Sequence, residues 1–282
     1  MNTAEYLNKW AISYKDDIIN NIMPFWMKYG LDKEHGGVYT CVNRDGSLMD
    51  TTKSVWFQGR FGFIAAYAYN NIEKNPQWLA ASKSCIDFIE AHCFDTDGHM
   101  FFEVTEDGVP LRKRRYVFSE GFAAIAMAEY SLATGEKEYA EKALEIFKRT
   151  QHFLDTPGML EPKYLPAMSS RGHSITMILI NTASRIRMVI DDPVLTEQID
   201  ASIAALRKYF IHPEFKALLE MVGPNGEFID TCNGRVINPG HCIETAWFIM
   251  EEAKYRNWDK DLLQLALQIL DWSWEWGWDK EF

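Results

Sequence analysis

One short stretch places an ionisable histidine and a glutamate in the first turn of a predicted helix. It reads Asn238-Pro239-Gly240-His241-Cys242-Ile243-Glu244. Asn238 is a favourable N-cap, and Pro239 suits the first helical position because the N–H that proline lacks has no intrahelical acceptor there. His241 and Glu244 then share a helix face at a spacing of i,i+3. The positive end of the helix dipole favours neutral imidazole, so His241 is a candidate general base. The alternative is a helix start in which Glu244 only complements the dipole.

The patterns that several other chemistries require are missing from the sequence. The five cysteines form no CxxC pair, which is typical of reduced thiols, and the seven histidines form no HExxH or HxH pattern. We therefore predict no metal site. Without GxGxxG, a P-loop or GxSxG, the sequence contains no local sign of a dinucleotide site, a phosphate cradle or a serine hydrolase.

The overall composition narrows the class of partner. Apolar residues make up 47% of the 282 residues and aromatic residues 14%, enough for a large core and for aromatic surface that suits a carbohydrate-like ligand. The net charge of −11 argues against nucleic acid. The basic run at 112–115 is typical of a solvated face or of salt-bridge partners, with an anion site as the alternative. The sequence has no signal-peptide or membrane-spanning window, so we expect a soluble, cytoplasmic protein without a membrane partner.

Glycine turns followed by short apolar segments recur along the chain. The glycines at 37, 98, 158 and 226 stand 61, 60 and 68 residues apart. Second turns at Asp45-Gly46, Asp107-Gly108 and Asn233-Gly234 indicate β-hairpins. Apolar periodicity and capping residues predict a pair of helices after each unit. The predicted helices span residues 5–29, 55–72, 76–93, 117–134, 137–154, 173–190, 195–210, 239–256 and 260–276.

A unit of two helices and a hairpin cannot bury its own apolar face, so the units must stack side by side, and a ring follows. The first helix of each pair is rich in Ala, Gly and aromatic residues and suits an inner layer, whereas its partner alternates charged and apolar residues and suits an outer layer. Polar residues at the starts of the inner helices then converge on the axis, or else act as caps and buried hydrogen-bond partners. They are Trp56, Gln58, Arg60, Phe118, Glu120, His241 and Glu244. We predict an all-α toroid forming a single domain over residues 1–282.

The last residues repeat an earlier motif. Gly277-Trp278-Asp279-Lys280-Glu281-Phe282 is similar to Gly30-Leu31-Asp32-Lys33-Glu34-His35, and the chain ends in the middle of the repeated motif. Nine helices and an opened fifth turn are what a ring of six pairs retains after losing three helices. We therefore expect the chain to be truncated at its C-terminus.

These motifs together resemble the N-acylglucosamine 2-epimerase family over essentially the whole chain. The resemblance rests on Trp56-Phe57-Gln58-Gly59-Arg60, on Phe118-Ser119-Glu120, on the Asn238–Glu244 stretch with Trp247, and on Gly277-Trp278-Asp279. It implies an (α/α)6 barrel whose members move a proton at C2 of an open-chain sugar. It also implies that Arg60 holds the carbonyl end and the developing oxyanion, that His241 is one of two acid/base histidines, and that Glu244 orients His241. The further substrate-binding residues expected are Trp56, Gln58, Phe118, Glu120, His173, Met177 and Trp247.

Proton removal beside an aldehyde needs a base of near-neutral pKa and a cation where charge develops on oxygen, which are the roles of His241 and Arg60. The resemblance places the second catalytic histidine beyond residue 282. The reaction requires neither hydride cofactor nor metal. In some members a nucleotide acts as an allosteric activator, although no residues here can be assigned to it, and a homodimer is a further expectation.

Other functions remain open at this point. The residues of the motifs resemble those of the N-acetylglucosamine 2-epimerase branch more than those of cellobiose-type 2-epimerases or aldose-ketose isomerases. A glycoside hydrolase or lyase on the same toroid needs paired carboxylates, for which Glu120 and Glu244 are the nearest candidates. A non-catalytic sugar-binding protein is the third class, and it predicts binding without proton exchange at C2.

Overall fold

The computed structural model describes residues 2–113, 116–161 and 169–281. Within these ranges the chain is mostly helical, and no described helix is both long and apolar enough to cross a membrane. The helices are α1 (Thr3–Asp17), α2 (Met23–Tyr29), α3 (Val55–Asn71), α4 (Pro76–His92), α5 (Phe118–Thr134), α6 (Lys137–Asp155), α7 (His173–Arg187), α8 (Pro193–Ala205), α9 (Pro239–Tyr255) and α10 (Lys260–Gly277).

Capping side chains define several of the helix starts. Asn75 accepts a hydrogen bond from the backbone N–H of Gln77, with Pro76 at the first helical position of α4. Asn238 accepts in the same way from His241, with Pro239 opening α9. These side chains satisfy N–H groups that the helix itself leaves unpaired. The predicted helices between residues 55 and 276 therefore begin within two residues of their observed starts.

The predicted helix at 5–29 is interrupted. A single π-helical stretch, Ile18–Ile22, separates α1 from α2, and the N–H of Met23 donates to the carbonyl of Ile18. Pro24 follows within the first turn of α2. Proline has no N–H and crowds the carbonyl four residues earlier, so the helix widens locally instead of continuing regularly. A similar stretch, Leu206–Phe210, follows α8 within the predicted helix at 195–210.

Short antiparallel strands occupy the loops between helices. They are β1 (Cys41–Val42), β2 (Leu48–Asp50), β3 (Lys53–Ser54), β4 (Phe101–Val104), β5 (Pro110–Lys113), β6 (Arg171–Gly172), β7 (Ile211–His212), β8 (Ala217–Leu218) and β9 (Met221–Val222). Strand β1 pairs with β2, β4 lies between β3 and β5, β6 pairs with β9, and β7 pairs with β8. The β1–β2 and β4–β5 hairpins turn at Gly46 and Gly108, whose φ values of +86° and +91° favour glycine.

The third and fourth glycine turns differ from the prediction. Gly158 and Gly226 have φ values of +85° and +93°, as turns require, but neither the 159–160 segment nor the 227–229 segment forms a strand. The strand of the fourth unit is β9, which precedes Gly226 and pairs with β6 across Gly172 and Met221. The apolar residues before the turn therefore form the ladder, and those after it do not.

The chain divides into two compact units, Met1–Pro157 and Gly158–Phe282. In the first unit, α3 packs closely on α5, because a Cβ on Gly59 would lie 2.6 Å from the backbone carbon of Phe122. Helix α5 is buried along most of its length, whereas α6 buries a single stripe. The predicted contrast between the two members of a helical pair is present here.

The loops of the first unit are joined by one buried ammonium group. Lys53 is fully buried, and its Nζ donates to Asp32 Oδ2 at 2.7 Å and to the carbonyls of Gly36 and Glu106 at 2.8 and 2.7 Å. Burial raises the pKa of Asp32, but Lys53 and the N–H groups of Glu34 and His35 outweigh that effect and hold the pKa at about 2. The charge of Lys53 is thus fully paired.

In the second unit, α7 packs against α8 and α9, and α9 packs against α10. A buried ion pair joins α7 to α9, with Arg187 Nη2 2.5 Å from Glu252 Oε2. The guanidinium of Arg187 also lies 3.7 Å from the ring centroid of Tyr255. The starts of α7 and α9 are held near each other by this packing, and they carry the histidines of the candidate site.

Candidate active site

Two histidines in the second unit share one carboxylate. His241, in the first turn of α9, has its Nδ1 3.1 and 3.0 Å from the two carboxylate oxygens of Glu220. His173, the first residue of α7, has its Nδ1 3.5 Å from Glu220 Oε2. Glu220 lies between β8 and β9, so two helix starts and one inter-strand turn supply the three side chains.

The backbone of Glu220 is fixed on both sides. Its carbonyl accepts from the N–H of His173 at 3.0 Å, and its N–H donates to the carbonyl of Val236 at 3.2 Å. Burial raises the pKa of Glu220, but the neighbouring imidazoles of His173 and His241 outweigh it and bring the pKa to about 2. Glu220 is therefore an ionised acceptor at neutral pH.

The hydrogen bonds fix the proton positions on both rings. The hydroxyl of Thr245 donates to the carbonyl of His241 at 2.8 Å, so it accepts from Nε2 of His173 at 2.8 Å. His173 consequently carries a proton on Nε2. Because Glu220 is an anion, His241 donates from Nδ1, and the lone pair of its neutral ring lies on Nε2. The side chain of His241 is 34% exposed, so this ring can meet a ligand from solvent.

Glu220, and not Glu244, makes the orienting contact to His241. Glu244 is partly buried one turn further along α9, and no hydrogen bond joins it to the imidazole in the described part of the chain. The i,i+3 spacing places the two residues on one face, but the Nδ1 atom points back to the loop that precedes the helix. The signal for Glu220 in the sequence was a single carboxylate inside the apolar run 217–222. A catalytic role for Glu244 stays a prediction.

In the first unit, Trp56 lies at the centre of an aromatic cluster. Its ring centroid is 5.2 Å from that of Phe102, 5.3 Å from Phe118 and 5.7 Å from Phe122. The exposed guanidinium of Arg60 lies 4.4 Å from the centroid of Phe122, and no carboxylate of the described residues is within ion-pair distance of it. The cluster thus presents apolar ring faces beside a cation, a combination suited to a sugar with a polarised oxygen. Sequence reasoning missed Phe102, which comes from strand β4.

Two of the predicted substrate-binding residues are buried and make hydrogen bonds to loop backbone. Gln58 is fully buried, accepting from the N–H of Val38 at 2.9 Å and donating to its carbonyl at 2.6 Å. Glu120 is 1% exposed, and its Oε1 accepts from the N–H of Met100 at 2.9 Å. Burial raises the pKa of Glu120 to about 7. Both side chains contact loop backbone in this structure, and substrate binding by Gln58 and Glu120 stays a prediction.

The remaining predicted positions are divided between core and surface. Met177 is buried on α7, one turn after His173. Trp247 is 45% exposed on α9, with its ring centroid 5.0 Å from that of Phe248. In the basic run, Lys113 pairs with Asp95 and Asp97, as expected of salt-bridge partners, and residues 114 and 115 lie outside the described residues.

Comparison with known proteins identifies the family. The model of the N-acylglucosamine 2-epimerase (GlcNAc 2-epimerase) family matches residues 37–282. The chain belongs to this family. N-acylglucosamine 2-epimerase of Mus musculus is 28% identical over 290 residues, which cover 98% of this chain and 68% of the mouse protein. The Homo sapiens enzyme is 30% identical over 254 residues, 87% of this chain and 59% of the human protein. The chain thus spans about two thirds of the length of these epimerases.

Solved structures of sugar epimerases share the fold. Cellobiose 2-epimerase from Bacillus thermoamylovorans B4167 matches with a TM-score of 0.83 at 20% identity, over 95% of this chain and 72% of that one. The enzyme from Spirochaeta thermophila DSM 6192 matches with a TM-score of 0.81 at 19% identity, over 98% and 72%. This structural similarity confirms the predicted α/α toroid fold. The chain covers 72% of each of the two structures.

Proposed function

We propose that the chain acts as a sugar 2-epimerase, with His241 removing the C2 proton of an open-chain N-acylglucosamine, N-acylmannosamine or related aldose. The observation that carries the proposal is the contact of His241 Nδ1 with Glu220 at 3.0 Å, on a ring that is 34% exposed. A neutral imidazole held by a carboxylate at Nδ1 is a general base at Nε2. Membership of the family supports sugar as the substrate class.

The electron flow of the proposed step needs no external reagent. Nε2 of His241 takes the proton from C2, the C–H electron pair becomes the C1–C2 double bond, and the carbonyl electrons move onto oxygen. The imidazolium that forms is stabilised by the adjacent carboxylate of Glu220. Collapse of the enolate with a proton arriving on the opposite face of C2 gives the epimer. In an aldose that has a hydroxyl at C2, a proton delivered to C1 with loss of the O2 proton gives the ketose instead. Stabilisation of the oxyanion by Arg60 is a prediction that rests on the family resemblance.

The buried state of Glu120 argues against the glycoside hydrolase alternative. Hydrolysis by paired carboxylates needs both groups to face the glycosidic bond. Glu120 is 1% exposed and has one oxygen committed to the N–H of Met100. Glu120 therefore does not face solvent, as a member of a catalytic carboxylate pair with Glu244 would have to.

Loss of the H2 signal of N-acetylmannosamine in D2O, followed by proton NMR, tests the proposal. Exchange needs only removal and return of the proton by His241, whereas inversion needs a second acid, so exchange is the primary measurement and epimer formation the secondary one. We expect exchange by the unmodified chain and a loss of about 10²- to 10⁴-fold in His241→Asn.

His212→Asn is the matched control. His212 also contacts a carboxylate through Nδ1, 3.0 Å from Glu214 Oε1, in the same unit of the chain. This variant should retain full exchange. Exchange that survives in His241→Asn, or that falls equally in His212→Asn, would contradict the proposal. Formation of ketose from an aldose with a hydroxyl at C2, such as mannose, would reassign the reaction to an isomerase, and reducing sugar released from a glycoside would reassign it to a hydrolase.

A further inference from the structure

The ring of His173 turns its Nδ1 toward the carboxylate of Glu220. His173 is fully buried, and its Nε2–H is committed to the hydroxyl of Thr245. Its Nδ1 makes no hydrogen bond within the described chain and lies 3.5 Å from Glu220 Oε2. A buried ring nitrogen and an anionic oxygen at this distance need a positive charge at the contact, either a proton on Nδ1 of His173 or a bound cation. A bound cation would provide this charge without a proton on Nδ1 of His173.

A third ligand atom lies beside the same carboxylate. Nδ1 of His241 is 3.0 Å from Glu220 Oε2, and one ligand atom from each of His173, Glu220 and His241 lies within 4.8 Å of the other two. Two imidazole nitrogens and a carboxylate oxygen are a donor set of divalent transition metals. Three protein ligands also leave a coordination position for water or substrate.

We propose that His173, Glu220 and His241 form a binding site for a divalent transition metal ion of the Zn²⁺ class, and that the bound ion switches off proton transfer by His241. Metal-to-ligand bonds of about 2.1 Å place tetrahedral ligand atoms about 3.4 Å apart. The 3.0 and 3.5 Å separations to Glu220 are close to that spacing. Only the widest separation, within 4.8 Å, has to close.

The residues around the three ligands are already arranged to support an ion. Thr245 holds His173 by Nε2, and the carbonyl of Glu220 accepts from the N–H of His173. Such contacts to the far side of a ligand fix its orientation and strengthen metal binding. The sequence could not reveal this site, because the three residues are separated by 47 and 21 positions and match no metal-binding spacing.

The effect on catalysis follows from the position of one proton, and it rests on the proposed function. When a metal takes the lone pair of His241 Nδ1, the proton of the neutral ring must lie on Nε2. Nε2 then has no lone pair with which to remove a sugar proton. The bound ion is consequently an inhibitor whose removal by a chelator restores activity.

Binding is tested independently of activity by calorimetric titration of the chain with ZnCl₂ and by the visible spectrum with CoCl₂. We expect one ion per chain and the absorption bands of Co²⁺ held by nitrogen and oxygen. Glu220→Gln and His173→Gln should weaken binding by more than the roughly 10- to 100-fold that loss of a supporting partner costs. Glu220 is partly exposed, so its variant is expected to fold, and circular dichroism checks both.

The control is His212→Asn. His212 also contacts a carboxylate, that of Glu214, but within the described residues no second histidine contacts that carboxylate. It should leave Zn²⁺ affinity unchanged. Absence of binding, equal affinity in Glu220→Gln, or the intense near-ultraviolet bands of Co²⁺ bound to thiolates such as the exposed Cys232 would overturn the site. Zn²⁺ that binds without slowing C2 exchange would overturn the inhibitory switch. A chain that binds Zn²⁺ but shows no exchange when metal-free contradicts the proposed function and leaves the site standing.

Discussion

In three helical pairs, a side chain in the first turn of the first helix contacts a loop residue about 20 positions earlier. The three contacts differ in what they do. Gln58 reaches back 20 residues to Val38, Glu120 reaches back 20 residues to Met100, and His241 reaches back 21 residues to Glu220. In the first unit the partner is loop backbone and the reaching side chain is buried. In the second unit the partner is a carboxylate and the reaching ring is partly exposed.

The comparison shows that the repeat determines where a contact forms, and that burial determines what the contact does. A buried amide or carboxyl that satisfies backbone N–H and C=O groups contributes to stability, because those groups are costly when unpaired. A partly exposed imidazole held at one nitrogen retains chemistry at the other. We therefore expect substitutions in the loop contacts of the first unit to change the free energy of unfolding, and substitutions at exposed site residues to change turnover.

The largest effect is expected at Lys53, the ammonium that joins the loops of the first unit. Lys53→Met leaves the buried carboxylate of Asp32 without its ammonium partner and removes the donor to two carbonyls, so the free energy of unfolding measured in urea should fall by about 3–5 kcal/mol. Lys83→Met is the control, because Lys83 pairs with Asp87 on the surface of α4 and should cost less than about 1 kcal/mol. A loss at Lys53 no larger than the control would contradict a stabilising role for the contact.

Glu120 provides a pH-dependent test. Its pKa is raised from 4.5 to about 7 in the folded chain, so the folded state binds more protons than the unfolded state between these values. Stability is then highest below about pH 4.5 and falls as the pH rises through 7. Glu120→Gln removes this dependence, and between pH 4 and pH 8 the unfolding free energy should shift in favour of the variant by about 3 kcal/mol.

Comparing the unfolding free energy of Glu120→Gln with that of wild type cancels the contribution of the neighbouring His99. Nδ1 of His99 lies 3.9 Å from Glu120 Oε1, and both proteins retain this histidine. Glu145→Gln, on the exposed face of α6, should show no comparable shift. A constant difference between Glu120→Gln and wild type across the range would show that Glu120 is not the group that titrates.

Gln58 and Arg60 lie two residues apart on α3, and we expect one to affect stability and the other to affect catalysis. Arg60→Lys should lower C2 exchange by about 10- to 100-fold while leaving stability unchanged within about 0.5 kcal/mol, because a point charge cannot replace the planar guanidinium. Gln58→Met should do the reverse, costing about 1–3 kcal/mol through the unpaired backbone of Val38. Urea unfolding and exchange measured on both variants decide the matter. Normal exchange in Arg60→Lys would make Arg60 structural.

The smallest effect is expected at Thr245. Thr245→Val keeps the shape but removes the acceptor for Nε2–H of His173, which leaves a buried donor unpaired and should cost about 1–2 kcal/mol. The ¹⁵N chemical shifts of the His173 ring report whether its proton then moves to Nδ1, toward Glu220. A proton that stays on Nε2 would show that Thr245 does not determine which nitrogen is protonated.

Much of the fold could be predicted from the sequence because its signals are local. Caps such as Asn75-Pro76 and Asn238-Pro239 fix helix starts, and Gly46 and Gly108 fix hairpin turns, each through contacts within a few residues. The pairing of β6 with β9 brings together residues about 50 positions apart, and nothing in the local pattern specifies it. The interruption at Ile18–Ile22 had a local cause in Pro24, which the periodicity of the surrounding apolar residues concealed.

The candidate site was predictable in part for the same reason. The sequence pointed to His241 because its helix start has a clear capping pattern, and to Arg60 and Trp56 because they open another helix; the roles of all three stay predictions. Glu220 was missed because its contact to His241 depends on tertiary structure. The shared face of His241 and Glu244 suggested a partner on the same helix. Nδ1 of His241 turns toward the β8–β9 turn, and a role for Glu244 stays a prediction.

The buried ammonium of Lys53 also bears on how the first unit opens. The three acceptors of its Nζ belong to two loop segments, around residues 32–36 and 106. If either segment moved away alone, the buried ammonium would lose part of its solvation. Opening of either segment is therefore tied to opening of the other. Amide hydrogen exchange in the two loops should proceed with a common protection factor and a common denaturant dependence, as expected of one cooperative unit formed from segments about seventy residues apart.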